Sequence, residues 1–227
     1  LLGSRVLADF DFGANPQAFL LDFGFGVVSL VSFVFAVLLP AQHWFDLTSG
    51  GQIIPLLARP VSPFAILLGS FLGSLAALAG VVLALSMAVA GLTLGAAEEI
   101  GRHFGAVFLQ GWLFWCRAAI IAAVVYFFGS YVRSRTLGIL LAGFIGLGGQ
   151  LTPLAAEWAE SAPASSAAVV RAVLWIVPDL SVFHLRLEAL LMGTVPLWGV
   201  VILSLYSLTY VTLLVFLGGL ILRRRTW

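Results

Sequence analysis

The sequence predicts an all-α, polytopic membrane protein, and three observations carry that prediction. The chain is 62% hydrophobic and 9% charged, whereas a soluble domain carries roughly a quarter charged residues. Its mean hydropathy is +1.13. Five apolar stretches dominate it, at about 23–41, 64–92, 106–129, 137–156 and 197–222. Each reaches about 20 residues, the length at which an α-helix rising ~1.5 Å per residue crosses ~30 Å of hydrocarbon. A single transmembrane domain over 1–227 follows, and function has to be sought in the loops and in the few polar groups within the spans.

Charge sets an orientation. All eleven basic residues are Arg. With Arg223, Arg224 and Arg225 placed in the cytoplasm, segments 42–63, 130–136 and 223–227 share that side and hold six Arg against one acid, Asp46. The opposite segments, 1–22, 93–105 and 157–196, hold four Arg and nine acids. The Arg excess in short loops follows the positive-inside rule. This arrangement leaves Leu1 outside, so a sixth span is expected upstream. The Arg cluster at the C-terminus is the only basic run, which is no footprint for nucleic acid. The lone cysteine, Cys116, falls inside a span and allows no internal disulfide.

Taken in order, residues 1–22 mix acids, Gly13, Asn15 and Pro16 into an outer loop. The first visible span is expected to end near Pro40. Segment 42–63 is too polar and too broken by Gly and Pro to cross a bilayer. Trp44, Phe45, Ile53, Ile54, Leu56 and Leu57 suit it to the membrane surface or a partner's groove. The 64–92 span carries Gly69, Gly73 and Ala77 on one face, which allows close helix packing within this chain or against a second copy. Residues 157–166 read as a small-polar turn. Residues 169–192 read as two short outer helices broken at Pro178, with Asp179 as the N-cap of the second.

No catalytic constellation is visible. The sequence has no zinc-helix motif, Cys pair, phosphate-binding loop or nucleophile elbow. His43, His103 and His184 are scattered, and no metal site is expected. Arg117 stands out because it lies near the middle of the 106–129 span, where a charge costs about 2.5–3.5 kcal/mol on insertion scales. No Asp or Glu falls inside any visible span. Arg117 therefore either bonds carbonyls or Gln110, snorkels, pairs with an acid elsewhere, or faces a hydrated cavity or an anionic substrate.

The order of short motifs carries a resemblance. Asp46-Leu47-Thr48-Ser49-Gly50, then Leu56-Leu57-Ala58-Arg59-Pro60-Val61-Ser62, then Gly69 and Phe71-Leu72-Gly73, resembles the permease subunits of type-2 ATP-binding-cassette exporters. Pro178-Asp179-Leu180-Ser181-Val182-Phe183 is similar to that family's Pro-Asn-Leu-x-x-Phe element in the last outer loop. Asp46 stands where the family has Glu, Gly51 where Thr is common, Pro63 for Arg, Ser70 for Lys and Asp179 for Asn. Segment 42–73 is most similar to permeases of the copper-enzyme (nitrous oxide reductase) maturation type.

The resemblance implies a six-span permease in the bacterial inner membrane, with its C-terminus cytoplasmic. It implies a partnership with a second permease copy or a homologous permease, and with two ATPase subunits that bind the ATP and Mg. It also implies a coupling helix over 42–58, with Phe45, Asp46, Gly50, Gln52, Ile53 and Arg59 as its contacts. Re-entrant outer helices would break at Pro178 and Asp179, and Arg117 would be a candidate for the translocation pathway. The permease itself would hold no cofactor and catalyse nothing. Two other classes compete. A lipid-modifying membrane enzyme needs clustered carboxylates or His, and the cytoplasmic side offers only Asp46 and His43. A channel or secondary transporter for protons or cations would call for acids inside the spans.

Overall fold

A computed structural model describes residues 16–49, 61–93, 100–132, 134–185 and 197–224. Among these residues the regular elements are helices and no strand occurs. They are α1 (Pro16–Ser49), α2 (Pro63–Thr93), α3 (Ile100–Tyr131), α4 (Arg135–Gln150), α5 (Thr152–Ser161), α6 (Ala164–Ile176), a 3-10 turn (Ser181–Phe183) and α7 (Leu197–Arg224). Four of them, α1, α2, α3 and α7, are long and apolar enough to cross a membrane. The pair α4 and α5, bent by 64°, makes a fifth if taken as one broken span. The chain is thus a multi-pass helical membrane protein by length and composition.

The bundle is built around α3. The apolar window of α3 is 83% buried, against 39% for α1, 33% for α2 and 17% for α7. Its middle is rich in small residues: Ala118, Ala119, Ala122 and Ala123 are all buried. Small side chains let the backbones of neighbouring helices approach, which matters where lipid is as apolar as the core and gives no hydrophobic drive to pack. Accordingly α3 touches α1, α2, α4, α7 and the 3-10 turn.

Three expectations change here. The first span does not stop near Pro40, because α1 runs on through the proline to Ser49. Proline removes one backbone donor and normally breaks a helix, but in a bundle the neighbouring helices compensate. Here Ala36, Ala41, Trp44 and Phe45 are buried on both sides of Pro40 and carry the helix past it. The span expected over 137–156 ends early, since α4 stops at Gln150 and α5 restarts at Thr152 with Pro153 in its first turn. That placement uses a missing N–H where the helix has no partner for one. The polar stretch expected to be a turn over 157–166 is in part the end of α5, and the turn shrinks to Ala162 and Pro163 between α5 and α6.

The glycines that bring helices together are also not the ones the spacing singled out. A Cβ at Gly69 or Gly73 would meet nothing within 4 Å. That face is therefore open rather than packed inside this chain. The close approaches occur at Gly129, where a Cβ would run into the Trp44 ring, and at Gly138, where it would lie 2.7 Å from Phe45 Cζ. Trp44 and Phe45 of α1 are both buried, at 0% and 2% exposure. Trp44 also packs on Tyr126 with ring centroids 5.3 Å apart. Removing the Phe45 ring leaves a cavity between α1 and α4. Phe45→Ala is expected to cost about 3 kcal/mol of stability, the usual size for a buried aromatic truncated to Ala, read as a lowered midpoint of thermal unfolding in nanodiscs.

Candidate functional site

The polar chemistry of the bundle gathers where the chain between α6 and α7 folds into the helices. Val177 to Leu180 is non-helical, and Pro178 ends the preceding helix as expected. Asp179 then closes a tight turn: its Oδ1 accepts from the Ser181 backbone N–H at 3.0 Å and from Ser181 Oγ at 2.7 Å. The expected helix from Leu180 does not form within the described residues. Only the 3-10 turn Ser181–Phe183 follows, and His184 is already extended. The remainder of that expectation, 186–192, lies outside the described residues. The first of the two expected helices does form, as α6, which begins earlier than 169, at Ala164.

An irregular backbone placed among apolar helices must have its polar groups bonded. Three helices supply the partners. On α3, Gln110 donates from Nε2 to the Phe183 carbonyl at 2.9 Å and accepts at Oε1 from the Leu185 N–H at 3.3 Å. On α4, the Gly149 carbonyl accepts from the Leu180 N–H at 2.8 Å. On α7, the Tyr206 hydroxyl accepts from the Asp179 N–H at 2.9 Å. Gly149 is also where the turn presses closest, since a Cβ there would collide with the Pro178 carbonyl oxygen. Gln110, Leu180 and Phe183 are at most 1% exposed. The turn is thus inserted into the bundle and gripped on three sides.

Arg117 lies at the middle of the apolar stretch Phe104–Tyr131, on the same helix as Gln110. It is 3% exposed. Its Nη2 donates to the Ser29 carbonyl at 2.7 Å and to Ser29 Oγ at 2.8 Å on α1. The guanidinium carbon sits 5.2 Å from the centroid of the Phe114 ring, within cation–π range. Of the routes open to Arg117, the carbonyl route is the one taken, and Gln110 is occupied with the turn instead. The His184 ring lies 5.9 Å from the Phe114 ring on its other contact. Burial first, then the positive charge of Arg117, lowers the His184 pKa, while Asp22 on α1 acts the other way.

The far end of α1 holds part of the expected coupling segment. Residues 42–49 continue α1, and 50–60, with Gly50, Gln52, Ile53 and Arg59, lie outside the described residues. Phe45 points into the bundle, against Gly138, rather than outward to a partner. Asp46 is exposed and pairs with Arg135 at the start of α4 at 3.4 Å. Such a surface pair contributes roughly 0–1 kcal/mol, so it orients more than it stabilises. Asp46, His43 and Gln42 face Gly73, Ser74 and Ala77 across a cavity of about 510 Å³ between α1 and α2.

Sequence reading located Arg117, Pro178 and Asp179 but not the residues that organise them. Gln110 carried a signal, as a lone amide inside an apolar span. Ser29, Gly149 and Tyr206 carried none, because small and amphipathic residues are common in such helices. The sequence matches no protein-family model, and no curated protein matches it.

The grip can be tested at Gln110. Gln110→Leu leaves the Phe183 carbonyl and the Leu185 N–H without partners, a loss of about 1–3 kcal/mol. Hydrogen exchange of the Leu185 amide is expected to speed up by about tenfold or more, with the exchange of the α3 backbone largely unchanged.

Proposed function

We propose that this chain is the membrane-spanning permease subunit of an ATP-driven exporter of the type-2 ATP-binding-cassette kind. The observation that carries the reading is the inserted turn. The stretch Pro178-Asp179-Leu180-Ser181-Val182-Phe183, which bears one of the family-like motifs, is also, among the described residues, the irregular segment bonded to α3, α4 and α7 together. In this reading it is the re-entrant outer element ahead of the last span. The multi-pass helical architecture is of the kind such a permease needs. The family pattern carries six spans per subunit, of which four to five candidates lie among the described residues.

The mechanism follows from how α1 is built. Its last turns pass Pro40 and tie to α4 through Asp46 and Arg135. Beyond them, the stretch with Gly50, Gln52, Ile53 and Arg59 forms the contact with the ATPase on the cytoplasmic side, alongside the Arg-rich C-terminus. Closure of two ATPases on ATP and Mg would push that segment. A continuous α1 then carries the displacement to Ser29 and Arg117, and α4 follows through its bond to Asp46. Two permease copies would alternate between packed states in this way. Hydrolysis belongs to the partner, and the permease holds and releases cargo. Gly69 and Gly73, where a Cβ would meet nothing within 4 Å, and the exposed Ala77 leave room for a second copy on α2.

Purification of the native complex in mild detergent is the direct test. An ATPase subunit is expected to co-purify with two permease copies. Ile53→Asp should weaken that association by about tenfold or more, the scale for losing a buried apolar contact to a charge, while the permease still inserts. Recovery of the chain with no ATPase at any expression level would end this reading.

A further inference from the structure

Arg117 is held as a helix tie would be held, yet a tie does not need a charge. Its two hydrogen bonds both leave from Nη2 and both end on neutral oxygens of Ser29. Among the described residues Nε and Nη1 donate to nothing, and no carboxylate lies within ion-pair distance, the ion pair found there being Arg135 with Asp46. A guanidinium offers five N–H donors in a planar fork matched to a carboxylate or phosphate. Neutral acceptors solvate such a cation without cancelling its charge. A Gln would tie α1 to α3 at far lower cost in an apolar bundle.

The surroundings extend the case. Phe114 carries Arg117 on one contact and His184 on another. His184 is exposed, whereas Arg117 is 3% exposed, so the two contacts of Phe114 lead from the surface to a buried cation. Ser29 Oγ accepts from Arg117 and so keeps its own hydroxyl proton to donate. Phe114 thus neighbours both the imidazole and the planar cation, and the cation in turn holds the Ser29 hydroxyl. The charged groups acting on His184 are Arg117 from α3 and Asp22 from α1.

We propose that Arg117, Ser29 and His184 form a recognition site for an oxyanion group, a carboxylate or a phosphate, that enters from the side of the Pro178–Leu185 turn. The anion supplies the counter-charge that no carboxylate among the described residues gives Arg117, with His184 swinging aside and then closing on it as the imidazolium. As a station on an export route this rests on the permease reading; as a binding site it stands without it. The anion is either carried on a membrane-borne amphiphile or free in water, and the two need different probes.

The test uses the full chain in phosphatidylcholine nanodiscs, with dodecyl phosphate as the membrane-borne probe, inorganic phosphate as the soluble one and dodecanol as the uncharged control. Binding is read by thermal stabilisation and by tryptophan fluorescence. One of the two phosphates is expected to bind, identifying the source, and dodecanol is not. Arg117→Gln should weaken that binding by about tenfold or more, the loss expected for a charge-assisted bidentate contact. Binding should tighten as pH falls toward the His184 pKa, which burial and Arg117 hold below the ordinary imidazole range, because the anion favours protonated His184. His184→Gln should remove that tightening and leave only the change that follows from the phosphate's own passage from dianion to monoanion. Since His184 is exposed, that variant and Arg117→Lys, which keeps the charge and loses the fork, decide the matter if Arg117→Gln fails to fold. No binding of either phosphate by the wild-type protein, or equal binding by His184→Gln with an unchanged pH profile, overturns the site. ATPase co-purification is read separately, so failure of the permease reading and failure of the anion site are distinguishable.

Discussion

The two hydrogen bonds of the Gln110 side chain hold together the part of this protein on which the rest depends. A backbone that leaves helical geometry between apolar helices exposes an N–H and a C=O at each residue, and no water is at hand to bond them. Gln110 takes one of each, at Phe183 and Leu185. The Gly149 carbonyl and the Tyr206 hydroxyl take two more N–H groups from the same stretch. Without these partners the Pro178–Leu185 turn would be driven out of the bundle. The position of His184 over Phe114, and with it the setting of Arg117, follows from that insertion.

The central helix makes this possible because it combines two kinds of residue. Its alanines bring α1, α2, α4 and α7 close enough to bury it. Its few polar side chains then meet neighbours at short range. Gln110 reaches the turn, Arg117 reaches Ser29, and Tyr126 donates to the Ser70 carbonyl at 2.7 Å while sharing a bond with Ser74 Oγ at 2.8 Å. The Cys116 carbonyl accepts from Ser207 Oγ at 2.8 Å. Contacts of this kind add specificity to packing that lipid would otherwise match. One polar residue after another thus fixes which helix lies beside α3, and at what height.

How much of this was legible follows from what the bilayer dictates. It fixes the length of an apolar run, so α2, α3 and α7 were readable from 64–92, 106–129 and 197–222. It does not tell which face of an apolar helix turns inward. Gly69, Gly73 and Ala77 therefore looked like a packing face and are open, while Gly129 and Gly138, without that spacing, receive Trp44 and Phe45. Pro40 read as an end, because the rule that proline breaks helices is learned in water. The break at Leu151 is marked by Thr152 and Pro153 but was masked by Leu154, Ala155 and Ala156, which extend the apolar run of α4. Arg117 announced itself by its depth, and Pro178 and Asp179 by the break they make. The partners of Arg117 could not be read, since a carbonyl and a serine hydroxyl are present everywhere.

The turn packs on the first half of α3, at Gln110, and the end of α1 packs on its last turns, at Tyr126 and Gly129, so the two lie toward opposite ends of the bundle. Single cysteines made by Asp46→Cys and by Val182→Cys, each in a Cys116→Ala background, can be probed with a membrane-impermeant maleimide in sealed vesicles of known orientation. Val182 is 39% exposed at the tip of the turn, so it is within reach of the reagent. The account predicts that the two cysteines react from opposite faces, with Val182→Cys reacting more slowly than a cysteine placed at Ser161 on the same side. Labelling of both from one face, or a rate at Val182→Cys equal to that at the exposed Ser161→Cys, would contradict this arrangement.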